Sequence, residues 1–150
     1  MNQLILEFDP DQNRYPDRVI RKIVDAVWSE YQIDDAHITL IFGDDELLNK
    51  LKKEFFKVDQ LTDVIAFRLN DYEEPSPEGE VYISLPRARE NAKHFEEPEP
   101  REIARLIIHG CLHLLGFDDK TDNDIRAMRT REDDILAHVP WDSLIPTEQD

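Results

Sequence analysis

The stretch from Ile103 to Asp119 constrains the fold more than any other part of this chain. Read as a helix, Ile103, Leu106, Ile107, Cys111 and Leu114 share one face, and Ile108, Leu112 and Leu115 another. At about 100° per residue, His109 and His113 lie roughly 40° apart, in the one direction left over. A helix apolar on most sides is a buried helix, so the two histidines are expected to face a cleft rather than open solvent. Gly116 then permits the positive φ that ends the helix and turns the chain back.

That turn brings Asp119 toward the histidines, giving the pattern His-x-x-x-His-x-x-Gly-x-x-Asp. Two imidazoles one helical turn apart converge on one ion, and a carboxylate makes a third ligand. Asp118 is an alternative third ligand, but the spacing favours Asp119. Three protein ligands leave one position open for water, the arrangement of catalytic rather than structural zinc. Zinc is therefore the expected cofactor, one ion per chain, held by His109, His113 and Asp119. A His-Glu-x-x-His protease carries its general base beside the first ligand, where this chain has Gly110. Cys111 points away from both histidines and is expected to be small core filler.

The rest of the chain supplies the elements needed to cover such a helix. Alternation predicts strands at Leu4–Phe8 and Ile38–Phe42, with further strands at Val64–Phe67 and Val81–Leu85. Val19, Ile20, Ile23, Val24, Val27 and Trp28 recur at helical spacing. Asp44 or Asp45 caps a helix expected to run to Phe55, Pro86 opens one reaching about Phe95, and Thr121-Asp122-Asn123-Asp124 caps the last. Ile125, Met128, Ile135 and Leu136 form that last helix's inward stripe. The acidic, proline-bearing loop from Asp71 to Gly79 and the tail after Pro140 are expected to be loosely held. These elements make one α+β domain spanning 1–150, with no repeat or linker.

Charge argues in a different direction from the metal site. The chain carries 34 acidic and 18 basic residues, a formal net charge of −16, which opposes binding to a phosphate backbone. Two local clusters run against that balance: Lys50, Lys52, Lys53 and Lys57, and then Arg87, Arg89, Lys93, Arg101 and Arg105. Each is either solvated helix surface or a set of phosphate contacts. Asp outnumbers Glu and Arg outnumbers Lys, as expected of a surface adapted to a salty cytosol. One cysteine, no signal peptide and no run of the ~20 apolar residues a spanning helix needs predict a cytoplasmic protein with no membrane partner.

The sequence resembles the YbeY family of bacterial endoribonucleases and rRNA maturation factors over about Leu48 to Leu136. Thr62-Asp63-Val64-Ile65-Ala66-Phe67 is similar to a family strand, Gly79-Glu80-Val81-Tyr82-Ile83-Ser84 to the next, and Arg89-Glu90-Asn91-Ala92 to the helix after it. The His109–Asp119 run resembles the family's histidine signature, with Met128 and Glu132 matching its last helix. The resemblance implies an α+β fold with a small four-stranded mixed sheet and about five helices, a zinc ion, and single-strand-specific RNA cleavage. It further implies action in 16S rRNA 3′-end maturation and ribosome quality control, with single-stranded rRNA and the small ribosomal subunit as partners.

Two departures stand out. Asp119 replaces a family histidine, which lowers the positive charge of the site and admits Mn²⁺ or another divalent ion more readily. Phe56 occupies the position of a family arginine, with Lys57 adjacent as a candidate phosphate contact. Thr62 and Asp63 either line the cleft or cap a strand. Glu132 either holds a ligand histidine or pairs with an arginine. The competing functions are a ribosome assembly factor with a mainly structural metal and, disfavoured by Gly110, a metalloprotease. His37, His94 and His138 lack motif partners.

Overall fold

The computed structural model describes residues 1–147. Four strands, β1 (Gln3–Phe8), β2 (His37–Gly43), β3 (Val64–Arg68) and β4 (Glu78–Ser84), form one mixed sheet in the order β1-β2-β4-β3. β1, β2 and β4 run parallel, and β3 closes one edge antiparallel to β4. The register lays apolar rows across one face. Leu6, Leu40, Val81 and Ala66 lie side by side, as do Phe8, Phe42, Ile83 and Val64.

Five α-helices accompany the sheet: α1 (Asp17–Glu30), α2 (Asp45–Leu51), α3 (Leu85–His94), α4 (Glu99–Leu114) and α5 (Asp122–Leu136). The predicted stripe of α1 is buried from Val19 to Trp28 and joins Ile103, Ile107, Cys111 and Leu114 of α4 in one hydrophobic cluster over the sheet. α4 comes unusually close to the strands at Gly110. A Cβ there would sit 2.4 Å from Val81 Cγ1 and 3.4 Å from Val64 Cγ2. The glycine thus sets how deeply the histidine helix seats on β3 and β4.

Three local features differ from expectation. The helix capped by Asp44, whose side chain accepts from Leu47 N at 2.9 Å, does not continue regularly to Phe55. After Leu51 it widens into a π-helical turn, Lys52–Phe56, ended by Lys57 in the left-handed region at φ 59°. The loop after β3 is laced down by Arg68, whose guanidinium donates to the carbonyls of Asp71 and Glu74 and to Leu114 at the end of α4. The segment after Pro140 is packed as far as Thr147: Leu144 is fully buried, and Thr147 N donates to Arg14 O at 2.8 Å. The remainder of that acidic tail, 148–150, lies outside the described residues. No helix among the described residues is long and apolar enough to cross a membrane.

Candidate metal centre

α4 ends in the turn its glycine predicts. Gly116 has φ 98°, its N–H donates to His113 O, and Phe117 N–H donates to Leu112 O. This paired closure satisfies carbonyls that the last helical turn would otherwise leave open. Phe117 is then clasped between the Tyr31 ring, 5.2 Å away, and the Arg131 guanidinium at 4.2 Å. With the turn anchored on both sides, Asp119 comes back over the histidines.

His109 Nε2, His113 Nε2 and Asp119 Oδ2 form a triangle with edges of 3.0, 3.3 and 3.4 Å. Tetrahedral zinc, with bonds of about 2.0–2.1 Å, needs ligand atoms about 3.3 Å apart, so this donor set fits the ion. Protonation points the same way. His109 Nδ1 lies 2.5 Å from Glu132 Oε2 and donates to it, which leaves the Nε2 lone pair facing His113 Nε2. A cation between the two nitrogens satisfies both lone pairs. Burial pushes the His113 pKa below its ordinary value, favouring the neutral form a ligand requires. Asp118 is not part of the triangle; its carboxylate pairs with Lys120 Nζ at 3.7 Å.

Behind His109 stands a buried ionic network whose extent the sequence did not show. Glu132 is both things expected of it: it accepts from His109 and, through Oε1, from Arg105 Nη1 at 3.2 Å. Arg105 makes a two-pronged pair with Glu102, and Asn91 Nδ2 bridges Glu102 to Asp63 at 3.2 and 3.0 Å. Glu102, Arg105 and Glu132 are all buried. Burial works against the Arg105 charge, but the two carboxylates more than offset it and raise its pKa. Burial likewise opposes ionisation of Glu132, yet His109 and Arg105 hold its carboxyl below the ordinary glutamate value. Arg105 is therefore neither solvated helix surface nor a free cation, since two buried carboxylates engage its guanidinium. Glu102 three residues earlier was the available signal, since side chains at that spacing meet on a helix.

Two clefts meet at the triangle and share Asp63, His109 and Asp119. One, of about 350 Å³, runs between α3 and α5; the other, of about 390 Å³, runs between the start of β3 and the π-helical turn. Thr62 and Asp63 line the second cleft, and Asp63 also reaches the first. Lys57 lines neither; its Nζ donates to Glu54 O at 3.1 Å. Two lysines line that second cleft: Lys52, with Nζ 4.7 Å from the ring centroid of Phe56, which also lines it, and Lys120, which pairs with Asp118. Neither His37, His94 nor His138 borders these clefts. His37 pairs with Asp35, and His94 packs on Phe95. Cys111 is buried among apolar groups, which pushes its pKa up to about 12 and leaves it an inert thiol.

Comparison with known proteins places this geometry in a family. The family model described as Endoribonuclease YbeY matches residues 7–140. A protein of Desulforamulus reducens named Endoribonuclease YbeY is 36% identical, covering 93% of this chain and 95% of its own. Another of that name, from Flavobacterium psychrophilum, is 41% identical over 68% of this chain and 71% of its own. A Thermotoga maritima protein solved in solution shares the fold, with a TM-score of 0.63 at 21% identity over 98% of this chain and all of the other. With its histidine helix, glycine turn and mixed sheet lying inside the matched span, the chain belongs to the endoribonuclease YbeY family.

Proposed function

We propose that this protein is a metal-dependent, single-strand-specific endoribonuclease of rRNA processing, with zinc held by His109, His113 and Asp119. The carrying observation is the triangle of three donors opening onto two clefts, in a chain whose relatives bear the name endoribonuclease. Family membership supports 16S rRNA 3′-end maturation and ribosome quality control as its setting, with the small ribosomal subunit as partner and the cytoplasm as location.

Zinc bound there supplies Lewis acidity, polarising a phosphodiester and making water a stronger acid. The chain's own residues prepare the site for it. Glu132 takes the Nδ1 proton of His109 as a hydrogen bond and fixes the ring so that Nε2 faces inward. Arg105, gripped by Glu102, keeps Glu132 ionised and in place. Lys52, resting on Phe56, offers the second cleft a cation for a flanking phosphate, and Thr62 and Asp63 border that path. Gly110 stands where a zinc protease of the His-Glu-x-x-His type has its general base, which disfavours the protease reading.

An assembly factor with a mainly structural metal is disfavoured, because structural zinc is normally closed by a fourth protein ligand. Among the described residues, only three groups form the cluster, and Asp119 is 39% exposed at its open side. Metal analysis of the purified protein and its His113→Ala variant, with cleavage of single-stranded and duplex RNA, tests the proposal. About one zinc per chain and single-strand cleavage are expected, both lost in the variant. Cleavage that survives both His109→Ala and His113→Ala would belong to a contaminant.

A further inference from the structure

The cleft between α3 and α5 presents surfaces that packing does not explain. Phe95, the residue that ends α3, is 54% exposed, and Ile125 on α5, expected in the core, is 47% exposed. Both line this cleft together with Leu106 and Met128, and its inner end is the triangle itself, through His109 and Asp119. Arg129, one helical turn after Ile125, borders the same space and makes no hydrogen bond or ion pair among the described residues. In a chain with 34 acidic and 18 basic residues, an arginine left without a carboxylate beside the site is notable. Arg101, Arg105 and Arg126, its neighbours on α4 and α5, all have oxygen partners.

An exposed aromatic ring, an aliphatic wall and an unpaired guanidinium suit a flat base attached to a phosphate. Aromatic side chains stack bases without regard to sequence, and arginine holds the adjoining phosphate. Across the triangle, the other cleft repeats the pairing with Phe56 under Lys52. We propose that the α3–α5 cleft is a subsite for one nucleotide of the RNA strand, its base laid on Phe95 against Ile125 and its phosphate held by Arg129. The strand then crosses the metal centre with one cation on each side, Lys52 and Arg129, and its bases splayed from one another. A duplex cannot present its bases this way, so the subsite accounts for single-strand preference. This rests on the ribonuclease reading above.

The experiment is an abasic walk. A single-stranded RNA cleaved by the wild-type protein is resynthesised with one abasic nucleotide at each position around the scissile bond. One position should raise KM by roughly 5- to 150-fold, the range of base–aromatic stacking. Phe95→Ala should impose the same penalty on intact RNA and show no further loss on the abasic RNA, while Phe95→Trp restores the base dependence. Arg129→Ala should lower the slope of log affinity against log salt by about 0.7, the value of one phosphate contact on a single strand. Thermal unfolding and zinc content of each variant separate a folding defect from loss of the subsite. Cleavage by the wild type in which the abasic penalty persists undiminished in Phe95→Ala overturns the subsite and leaves the ribonuclease reading standing. Absence of any wild-type RNA cleavage removes both.

Discussion

Glu132 carries two duties at one residue, and its variants should separate them. Its Oε2 orients His109 and its Oε1 meets Arg105. Glu132→Gln keeps the shape but gives His109 a weaker acceptor and leaves Arg105 with Glu102 alone. Zinc affinity should fall about 10- to 100-fold, as for other supporting partners of ligand histidines, measured by competition with a chromophoric chelator. The folded-state pKa of Glu132 lies below its ordinary 4.5. On acidification the unfolded chain therefore binds that proton first. The stability Glu132 contributes is complete above about pH 4.5 and is lost as pH falls from there through the folded value. Glu132→Gln should lower stability at neutral pH by about 1–3 kcal/mol and flatten the decline below pH 4.5 in denaturant titrations. An equally steep acid decline in the variant would assign the effect to other carboxylates. Asp119 offers a second residue-scale test. Asp119→His should shift competition between Zn²⁺ and Mn²⁺ further toward zinc, because imidazole suits zinc and carboxylate suits manganese.

At the scale of elements, the site depends on how closely α4 lies on the sheet. Gly110→Ala puts a methyl carbon 2.4 Å from Val81 Cγ1, so the helix must lift or β4 must yield. A cost of about 1–3 kcal/mol is expected from such overpacking, read from chemical denaturation, and Val81→Ala in the same chain should recover part of it. If the double variant were as unstable as the sum of the two single ones, the contact would not be the cause. The same element shows what was legible beforehand. His109, His113, Gly116 and Asp119 fall within eleven consecutive positions, where helical angles and a glycine turn decide geometry locally. Arg105–Glu132 and Asn91–Asp63 join residues 27 and 28 positions apart, beyond the reach of any helical periodicity. Lys57 is a candidate in the sequence through its adjacency to Phe56, and the structure turns its ammonium to Glu54 O rather than into either cleft. Adjacency in sequence says little there, because the π-helical turn Lys52–Phe56 changes the angular step per residue and leaves Lys57 in the left-handed region. Ile125 fitted the apolar stripe of α5, yet it is 47% exposed and lines the cleft instead of joining the core.

For the molecule as a whole, a net charge of −16 sets stability and RNA binding in opposition as salt changes. Like charges spread over a small surface repel one another, and that repulsion reaches about 10 Å at 0.1 M salt but only about 3 Å at 1 M. Salt also weakens favourable pairs. The exposed ones here, such as Arg21–Asp17, Lys53–Asp59 and Lys93–Glu90, contribute little each. The buried Arg105 network is shielded from ions. Screened repulsion therefore wins, and Tm should rise with KCl, by about 2–4 °C for each kcal/mol gained in a chain of this size. RNA affinity should fall over the same range, because counterions released from phosphates return as salt rises. With cationic contact confined to Lys52 and Arg129, since carboxylates engage the other cleft cations Lys120 and Arg105, the slope of log affinity against log salt should be about −1.4 for a single strand. One KCl series, followed by calorimetry and by fluorescence anisotropy with labelled RNA, measures both. A Tm that stays flat or falls would show that ion pairs, rather than repulsion, dominate the surface. A slope several times steeper would mean that the strand follows other lysines and arginines well away from the two clefts.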